Sequence, residues 1–580
     1  MKNYTVMNIE ARNAENLKNY PDFLKTLLAR RSFDTPEKIE EFLHPDYDTG
    51  LHDPYLMKDM CKVVERVLKA IENKEKILIY SDYDADGIPA AVIMNDYFTA
   101  VGYDNFDIYI PHRHNEGFGL HLEAIEKFKE WGVKLLITLD CGITDREEVQ
   151  HAKNLGIDVI VTDHHMPLQE TDASGVSHDV LPPAYAVLNS KRSDCEYPYD
   201  MLCGSGVAFK LVQGLLQKNR FGLKEGAEKW FLDMAGLATL SDMVPLNGEN
   251  RILAQYGLKV LRKSKRPGFV KLLAKMNTKQ AYITEDDVGF MITPRINAAS
   301  RMGVPLDAFH MLSAKDPVIG AQYAEHLDAI NNERKVLVAQ HVKEVKKVLA
   351  EREEHFKNKR VIVLGNPEWR PAILGLVANT VAQEHNKPVF LWGREDGKYI
   401  KGSCRSDGVT DLTKIMEGAK HAFVDYGGHK MSGGFSVDHE KIHELEDALV
   451  ISAEKSMSAA QSEPEDIVVD TKLSLDDITW KNYQYIEQLA PFGVGNPKPM
   501  FIFENVYITN IKLFGKKQEH LELCFNNSAG KKIKAIAFFT VPEDYAAPLK
   551  TDIPINLVAS LEKSVFGYMP ELRLRIVDII

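Results

Sequence analysis

Between residues 61 and 189, short apolar runs alternate with stretches that have the polarity pattern of helices. Apolar runs bounded by turns are typical of strands buried on both faces, and parallel strands need a crossover between them that is usually a helix. The alternation therefore predicts an α/β fold built on a parallel sheet. The strands are predicted at 76–82, 106–111, 133–140, 157–163 and 184–189, and the helices at 61–73, 88–101, 120–131 and 145–154.

The rest of the chain divides into helical and β-rich stretches. Residues 205–275 have the pattern of packed helices. Residues 316–358 contain no proline after 317 and no glycine after 320, which predicts one long helix that serves as a spacer. A second α/β unit opens on an apolar run at 360–365, and a polar break follows at 458–466. Five short strands from residue 500 onward predict a small β-barrel such as an OB-fold.

A chain of 580 residues is too long for one hydrophobic core, so several domains are expected. The patterns predict an N-terminal helical segment, a large α/β domain, a connecting long helix, a smaller α/β domain and an OB-like barrel. The predicted bounds of these five parts are, in order, 1–60, 61–315, 316–358, 359–457 and 466–580.

Charge and cysteine usage limit the classes of protein. The net charge of −12 argues weakly against a nucleic-acid binder, because a binding groove needs only local positive potential. Residues 259–279 carry eight Lys/Arg and no acid, which fits a solvated helical face or a phosphate-contacting surface equally well. The six cysteines are scattered and never form C-x-x-C, which predicts no disulfide framework and a reducing cytoplasm. No apolar run approaches the ~20 residues of a membrane helix.

The stretch "DYDADG" (82–87) places three carboxylates, Asp82, Asp84 and Asp86, directly after a predicted strand. An EF-hand loop begins in this way, but its twelfth position would be Ile93 instead of glutamate, and a helix should precede it. A helix cap alone would use fewer acids. The sequence therefore favours a site at the carboxyl end of a parallel strand, where α/β sheets build their sites.

Two later strand ends carry residues of the same kind. Asp140 follows one predicted strand, and Asp163, His164 and His165 follow the next. Neighbouring parallel strands bring their carboxyl ends together, so these side chains are expected to converge. Carboxylates and imidazoles without thiolates suit Mn²⁺ or Mg²⁺, and such a set can hold two ions ~4 Å apart. The pattern predicts phosphodiester hydrolysis by direct attack of water.

The motifs that carry these residues resemble a known family. "DYDADG", "TLDCGIT", "VTDHHMP" and "LATLSDMVPL" resemble, in order, the four motifs of the DHH phosphoesterase family, and "YGGHKMSGGF" (426–435) looks like the substrate motif of its DHHA1 domain. Within that family, the chain is most similar to the bacterial single-strand-specific exonucleases. The further motifs that carry this similarity lie at 51–60, 110–120, 202–211, 293–303, 402–408 and 489–499.

The resemblance implies a Mn²⁺- or Mg²⁺-dependent exonuclease that degrades single-stranded DNA from 5′ to 3′ into mononucleotides, in DNA repair and recombination. It implies two divalent ions and a monomer, with a single-strand-binding protein and a RecQ-type helicase as candidate partners. His165 would face the scissile phosphate as a charge stabiliser or proton donor, and Asp140, Asp84 and Asp86 would share the catalytic role with it. The metal ligands carried over are Asp82, Asp84, Asp86, Asp140, His164 and Asp242.

Several residues are candidates for holding the substrate. Arg295 and Arg301 could fork onto phosphate oxygens, or each could form a structural pair with a carboxylate. Arg113 resembles a family arginine near a strand end and could also be a surface loop charge. The residues predicted to form a pocket for the terminal 5′-phosphate, where glycines let the backbone approach an anion, are Ser403, Arg405, Gly427, Gly428 and His429.

In the barrel, residues 512–517 and 531–539 combine lysines with phenylalanines, which suits backbone contact and base stacking by a single strand. Ordinary strand faces with Phe in the core fit equally well, and Phe118 is likewise interpreted as a core residue. The chain departs from the family pattern at Tyr80, where members often have histidine, and at Arg370. The first departure leaves open whether Asp82 binds a metal ion directly or orients another ligand.

Two other functions compete with the exonuclease. A DHH phosphodiesterase acting on short oligonucleotides or cyclic dinucleotides is one, but compact members of that group lack a counterpart of residues 456–580. A non-catalytic relative that serves as a replication scaffold is the other, but such relatives lose the metal ligands, which are present here.

Overall fold

The computed structural model describes residues 4–6, 16–31, 33, 35–172, 174–394, 398–457, 467–545, 548–565 and 569–580. The polar break predicted at 458–466 lies outside these residues. Along the described chain, a parallel α/β sheet, a long helix, a smaller α/β sheet and a β-rich unit follow one another, which confirms the predicted fold class. No helix in these ranges is both long enough and apolar enough to cross a lipid bilayer.

The N-terminal segment contains more than the predicted helices. Its elements are β1 (Tyr4–Val6), α1 (Asp22–Ala29), α2 (Pro36–Leu43) and α3 (Tyr47–Gly50). Helix α2 begins with proline after Thr35, whose hydroxyl accepts the Lys38 amide at 3.3 Å. Strand β1 was missed because its partner, residues 467–469, lies far away in the sequence. The apolar faces of α1 and α2 pack into the core of the C-terminal barrel.

The first sheet has the parallel topology that the alternation predicts. Its strands run side by side in the order β3-β2-β4-β5-β8, all parallel, and every residue of β2 and β4 is buried. An exposed hairpin, β6–β7, was missed because its strands are polar. The elements are α4 (Met60–Glu72), β2 (Ile77–Ser81), α5 (Gly87–Ala100), β3 (Phe106–Tyr109), α6 (Leu122–Glu130), β4 (Leu135–Leu139), α7 (Arg146–Asn154), β5 (Asp158–Thr162), β6 (Leu168–Thr171), β7 (Ser177–Val180) and β8 (Ala186–Leu188).

A helical layer follows the sheet and continues into the long helix. The long helix ends at Glu351, a few residues earlier than predicted, and it is no free spacer. Leu327 and Ile330 belong to the core of the first unit, whereas Val345 and Leu349 belong to the core of the second. The helices are α8 (Gly204–Lys218), α9 (Leu232–Ser241), α10 (Gly248–Leu261), α11 (Pro267–Lys275), α12 (Glu285–Asp287), α13 (Thr293–Met302), α14 (Leu306–Ser313), α15 (Pro317–Glu351) and α16 (Glu353–Phe356).

The second α/β unit is built on a mixed sheet. Its strands lie in the order β12-β13-β11-β10-β9, and only the β9–β10 pair is parallel. Strand β12 is therefore an edge strand. The elements are β9 (Ile362–Gly365), α17 (Pro371–His385), β10 (Val389–Gly393), β11 (Ile400–Arg405), α18 (Leu412–Gly418), β12 (Asp425–His429), β13 (Ser432–Val437) and α19 (Leu445–Met457).

The C-terminal unit is β-rich, as predicted, but it contains more strands than the five expected. The stretch predicted as one strand at 500–514 is two strands, because the extended structure is interrupted between Tyr507 and Asn510. The sheet order is β15-β16-β20-β21-β19-β18-β17. The elements are β14 (Ile467–Val469), β15 (Thr471–Lys472), α20 (Trp480–Leu489), β16 (Phe501–Tyr507), β17 (Asn510–Phe514), β18 (His520–Asn526), β19 (Lys532–Phe538), β20 (Pro554–Ser564) and β21 (Glu571–Ile579).

Candidate metal centre

Asp82 lies directly after β2, at the carboxyl edge of the parallel sheet. Its amide continues the sheet by donating to the Leu139 carbonyl at 3.1 Å. The side chain is buried, and its Oδ1 has no hydrogen-bond partner within the described part of the chain. A Cβ at Gly87 would lie 2.4 Å from the Asp82 carbonyl oxygen, so the tight turn into α5 requires glycine. Tyr80 does not enter the site, because its hydroxyl donates to the Gly119 carbonyl at 2.7 Å.

The carboxylates of Asp84 and Asp86 lie in the site and are held in place by hydrogen bonds from backbone amides. Oδ1 of Asp84 accepts the amides of Asp86 and Gly87 at 2.8 and 3.2 Å. The Asp86 carboxylate accepts the amides of Gly204 and Ser205, at the start of α8, at 2.6 and 2.7 Å. Burial and the charge of Asp84 raise the pKa of Asp86 to about 6. Asp86, which precedes α5, makes no side-chain cap bond to that helix, so the site interpretation of "DYDADG" is the one that the geometry supports.

Asp140 ends β4 in the left-handed backbone region, with φ of 61°. A Cβ on Gly204 would lie 2.6 Å from the Cβ of Asp140, so the start of α8 can approach this carboxylate only because residue 204 is glycine. Burial and the charges of Asp86 and Asp84 raise the pKa of Asp140 well above its ordinary value. The site thus holds several carboxylates whose charges oppose one another.

His164 and Asp242 complete the cluster. Nε2 of His164 lies 3.1 Å from Oδ1 of Asp140, 3.8 Å from Oδ2 of Asp86 and 3.9 Å from Oδ2 of Asp242. Burial, followed by the charge of His165, lowers the pKa of His164 to about 3, which keeps its imidazole neutral and able to bind a metal ion. Burial and the charges of Asp86 and Asp84 raise the pKa of Asp242 to about 8.

These donors fit divalent cations. In each of three groups, one ligand atom per residue lies within 4.8 Å of the others. The sets contain oxygen and imidazole nitrogen without sulfur, which suits Mn²⁺ or Mg²⁺, and the unpartnered Oδ1 of Asp82 is an available ligand atom. The structure brings all six predicted metal residues together, and it adds His165. The groups are Asp82–Asp84–Asp140, Asp86–His164–Asp242 and Asp140–His164–His165.

Asp163 holds the two histidines in place. Its Oδ1 accepts the amide of His164 at 2.7 Å and Nδ1 of His165 at 2.8 Å, and its Oδ2 accepts the Ile143 amide at 3.0 Å. Burial would raise the pKa of Asp163, but the hydrogen bond from His165 and the charges of His165 and His164 together lower it to about 2. Burial lowers the pKa of His165, but Asp163 outweighs that effect and raises it to about 9. His165 is therefore a cation held at the edge of the carboxylate cluster.

Phe118 lies at the mouth of the site, so its interpretation as a core residue is wrong. The side chain is 48% exposed, and its ring meets that of His165 edge-on at 5.6 Å. The flanking Gly117 and Gly119 have φ of 96° and 85°, a backbone that holds the ring outward instead of in the core. The sequence alone could not separate the two cases, because an apolar residue in a loop fits either.

Three predicted arginines converge between the two α/β units. Arg301 donates to the Ala372 carbonyl at the start of α17 at 2.8 Å, and Arg113 lies over the Tyr83 ring at 4.9 Å. Burial and the charges of Arg113 and Arg405 lower the pKa of Arg301 to about 9. The contacts of Arg301, Arg405 and Arg113 among the described residues are with two backbone carbonyls and a tyrosine ring, and no carboxylate oxygen lies within 4.0 Å of their guanidinium nitrogens. Their charges are therefore available to an anion.

Arg295 is corrected to a structural residue. Its Nε and Nη2 both lie 2.9 Å from Oδ1 of Asp328, and Nη1 donates to the Met291 carbonyl at 2.7 Å. The side chain is buried where α13 packs against α15. Of the two alternatives that the sequence left open, the carboxylate pair is the observed one, because α15 supplies an acid opposite this arginine.

The predicted phosphate-pocket residues lie on the second sheet. Ser403 is on β11, whereas Gly427, Gly428 and His429 are on the edge strand β12, with β13 between. A Cβ on Gly428 would lie 2.3 Å from the Ser432 carbonyl oxygen, so β12 and β13 approach closely there. Burial and the charges of His165 and Lys191 lower the pKa of His429. His429 is thus near enough to the metal centre for His165 to act on it electrostatically.

Two basic residues near the site were missed. Lys191, in the loop after β8, acts on His429 and lowers the pKa values of His164 and Asp242 as a minor cause. Arg334, on α15, is one of the charges that lower the pKa of Arg301. The strand-end rule that found the acids would also have found Lys191, because it follows the next strand of the sheet. Arg334 gives no such signal, because it lies within a uniform helical stretch.

Three family models match successive parts of the chain. The DHH family N-terminal domain matches residues 76–239, the DHHA1 domain matches 358–452, and the RecJ OB domain matches 469–578. The chain belongs to the RecJ family. The family prediction is thereby confirmed, and so is the OB assignment of the C-terminal unit.

Named relatives agree with this membership. A relative from Bacillus subtilis (strain 168), called single-stranded-DNA-specific exonuclease RecJ, is 33% identical over 507 residues, which cover 87% of this chain. The chain spans only 62% of the length of that RecJ. A relative of the same name from Escherichia coli (strain K12) is 29% identical over 502 residues, covering 83% of both chains.

A solved RecJ shares the fold. The crystal structure of RecJ from Thermus thermophilus in complex with Mn²⁺ has a TM-score of 0.79 to this chain at 24% identity. The match covers 99% of this chain and 78% of that RecJ. A second crystal structure of the same RecJ is a complex with Mg²⁺. The metals in those structures are the two that the donor set of this chain favours.

Proposed function

We propose that this protein hydrolyses single-stranded DNA from its 5′ end to mononucleotides, using Mn²⁺ or Mg²⁺, in the cytoplasm and in the service of DNA repair and recombination. One observation supports this most strongly: a buried cluster of carboxylates and imidazoles lies near three arginines, Arg113, Arg301 and Arg405, whose charges act on one another or on the cluster. The first can hold divalent ions and the second can hold phosphates. The names of the RecJ relatives support the choice of substrate.

The proposed metal ligands fall into two neighbouring groups of the cluster, one for each ion. Asp82, Asp84 and Asp140 would hold one ion, and Asp86, His164 and Asp242 would hold the other. When bound, such ions activate a water and stabilise the charge that develops on the phosphate. The amides that donate to Asp84 and Asp86 hold these carboxylates in place before a metal ion binds. This order lowers the entropic cost of forming the site.

His165 would act on the phosphate from the protein side. The hydrogen bond to Asp163 fixes its ring and keeps it protonated, so its other nitrogen can donate a hydrogen bond to a phosphate oxygen or a proton to the departing 3′ oxygen. Phe118, beside His165, presents an exposed ring to the terminal nucleotide. These roles require no covalent intermediate with the protein.

The polarity of cleavage would come from the second α/β unit. Arg405, together with Ser403 and the β12 residues Gly427, Gly428 and His429, would receive the terminal 5′-phosphate, with Arg113 and Arg301 on the opposite side. Arg405 donates to the Cys404 carbonyl at 2.7 Å, and a Cβ on Gly375 would lie 2.7 Å from its Nη2. Its guanidinium is thus held by its surroundings instead of moving freely in solvent.

The barrel would hold the incoming strand on an aromatic platform. We use that name for Phe514, His520, Phe538 and Phe539, whose rings lie in contact at centroid distances from 4.8 to 6.0 Å. Arg575 lies over the Phe538 ring at 4.1 Å, and Phe539 is 81% exposed. Exposed aromatic rings beside a cation are suited to stacking bases without reading their sequence.

A substrate panel tests the proposed function. We expect mononucleotides from 5′-labelled single-stranded DNA in the presence of Mn²⁺ or Mg²⁺, and no products from duplex DNA, RNA or a cyclic dinucleotide. The measurement is product length on a denaturing gel at several times. Hydrolysis restricted to dinucleotides would reject the proposal in favour of the phosphodiesterase alternative.

Removing the platform should weaken binding without stopping the reaction. The Phe514→Ala/Phe539→Ala double variant should lose roughly tenfold or more in affinity for single-stranded DNA, since stacking contributes ~1–3 kcal/mol per base. Fluorescence anisotropy with a labelled oligonucleotide, without divalent ions, measures this affinity. Met569→Ala, which truncates another exposed side chain of the same unit, is the control and should bind normally. Equal affinities would place the strand elsewhere.

A further inference from the structure

The motif at 489–499 contains a tight turn that belongs to the C-terminal unit but lies against the first α/β unit. Gly493 and Asn496 exchange backbone hydrogen bonds of 2.9 and 3.1 Å, with Val494 and Gly495 at the corner. The Val494 carbonyl accepts the amide of Leu246 at 2.8 Å. The turn at 493–496 therefore fastens a loop of the first unit from outside.

That loop begins at a proposed metal ligand. Asp242 ends α9 by donating its amide to the Ala238 carbonyl at 2.8 Å, and the next residue, Met243, has φ of 59°. The chain thus reverses immediately after the ligand. Within the first unit, the Pro245 carbonyl accepts bonds from Tyr199 and Asn250 at 3.3 and 3.1 Å. Leu246 is fastened by the turn, four residues after the ligand.

The turn approaches the loop closely at its two glycines, where a side chain would contact the loop. A Cβ on Gly495 would lie 3.3 Å from the Cβ of Pro245, and one on Gly493 would lie 2.8 Å from Cδ1 of Leu246. Gly495 also has φ of 73°, which favours glycine. A side chain in place of either glycine would therefore press on the segment that follows Asp242.

The turn is itself rigidly supported. Asn496 is fully buried, and its amide group donates to the carbonyls of Leu489 and Pro491 at 2.8 Å each. Its carbonyl oxygen accepts Nε of Arg31, from the N-terminal segment, at 2.7 Å. Arg251, on α10, donates to the Leu489 and Ala490 carbonyls at 3.0 and 3.2 Å. Three parts of the chain therefore hold the turn in one position.

We propose that the turn at 493–496 is a positioning element for Asp242, through which the barrel unit sets the affinity of the metal centre. The inference rests on the proposed function only in taking Asp242 as a metal ligand. Groups that hydrogen-bond directly to a metal ligand typically change metal affinity roughly 10–100-fold when they are lost, and the turn acts one step further away, through Leu246, so a smaller change is expected. Displacing the turn would shift Leu246 and the chain reversal at Met243. This shift would lower the affinity for the ion held by Asp242, Asp86 and His164.

The test compares two glycine variants with the same backbone strain. Gly495→Ala places a methyl group against Pro245, whereas Gly156→Ala, at φ of 76°, places one in open space far from the site. Isothermal titration of Mn²⁺ into the full chain, without DNA, should show a five- to fiftyfold weaker affinity for one of two ions in Gly495→Ala. Gly156→Ala should bind Mn²⁺ like the wild type, although its backbone strain also lowers the thermal stability. Equal Mn²⁺ affinities in the two variants would overturn the proposal.

Kinetics separate positioning from general damage. In Gly495→Ala, kcat on single-stranded DNA should fall at low Mn²⁺ and recover at saturating Mn²⁺, with an unchanged KM for DNA. Asn496→Ala keeps every glycine, removes the supporting bonds and should shift Mn²⁺ affinity in the same direction. A loss of kcat that excess Mn²⁺ does not restore would contradict the proposal. A wild-type chain that binds Mn²⁺ but cleaves no DNA would reject the proposed function while leaving the comparison of Mn²⁺ affinities intact.

Discussion

Replacing Asp140 with asparagine should abolish hydrolysis of single-stranded DNA, with a loss in kcat of roughly 10³-fold or more, because metal ions supply several kcal/mol of transition-state stabilisation. Asp140 is a ligand of one proposed ion, and its Oδ1 lies 3.1 Å from Nε2 of His164, a ligand of the other, so its loss disturbs the whole cluster. Asparagine is preferable to alanine because residue 140 has φ of 61°, a region that asparagine tolerates better. Gel assays of single-turnover cleavage measure the loss.

The same variant should keep its fold and its affinity for the strand. Burial and neighbouring charges raise the pKa of Asp140, so its ionised form opposes folding when no metal is present. Asp140→Asn should therefore melt no lower than the wild type in a chelator at neutral pH. Asp59→Asn, with a matched φ of 66° and outside the three donor groups, loses an ion pair with Arg192 but should cleave normally. Normal cleavage by Asp140→Asn would mean that the metal centre lies elsewhere.

His165→Gln should lower kcat by roughly 10²- to 10⁴-fold, the usual range for a positioned acid or base. Glutamine can still reach Asp163 but cannot carry the positive charge that this carboxylate sustains on His165. Mn²⁺ binding, measured by titration calorimetry, should stay close to that of the wild type, because His165 is in neither of the two groups proposed to hold an ion. Single-turnover rates at saturating Mn²⁺ isolate the chemical step.

Two further variants serve as comparisons for His165→Gln. Asp163→Asn should lose a comparable factor, because the neutral amide keeps one acceptor oxygen but loses the negative charge that raises the pKa of His165. His151→Gln, on the exposed face of α7, is the matched control and should be fully active. A loss of one Mn²⁺ in His165→Gln would instead identify His165 as a metal ligand, which its distance to Asp140 and His164 also permits.

The metal donors were predictable because the rule that finds them is local. A parallel sheet brings the ends of its strands to one edge, so Asp82, Asp140 and His164 could be placed together from strand positions alone. Asp242 lies at the end of a helix instead, and only the family resemblance identified it in the sequence. The donor groups in the structure contain all four residues.

What the sequence could not supply are contacts between residues far apart along the chain. The role of Arg295 depends on Asp328, which lies on another helix, and both alternatives for this arginine were compatible with its motif. The pairing of β1 with β14 and the contact of Val494 with Leu246 join segments more than two hundred residues apart. Such contacts follow from packing of whole units, which no local pattern records.

Helix α15 has a consequence for the size of the product. Its 35 residues span about 50 Å at ~1.5 Å per residue, and its two ends are anchored in different hydrophobic cores. A packed helix does not stretch. It therefore keeps a fixed arrangement between the sheet that carries the metal ligands and the sheet that carries the proposed 5′-phosphate pocket. In the proposed reaction, this fixed arrangement of the two sheets, and not a contact with the bases, would keep the number of nucleotides removed per cut constant.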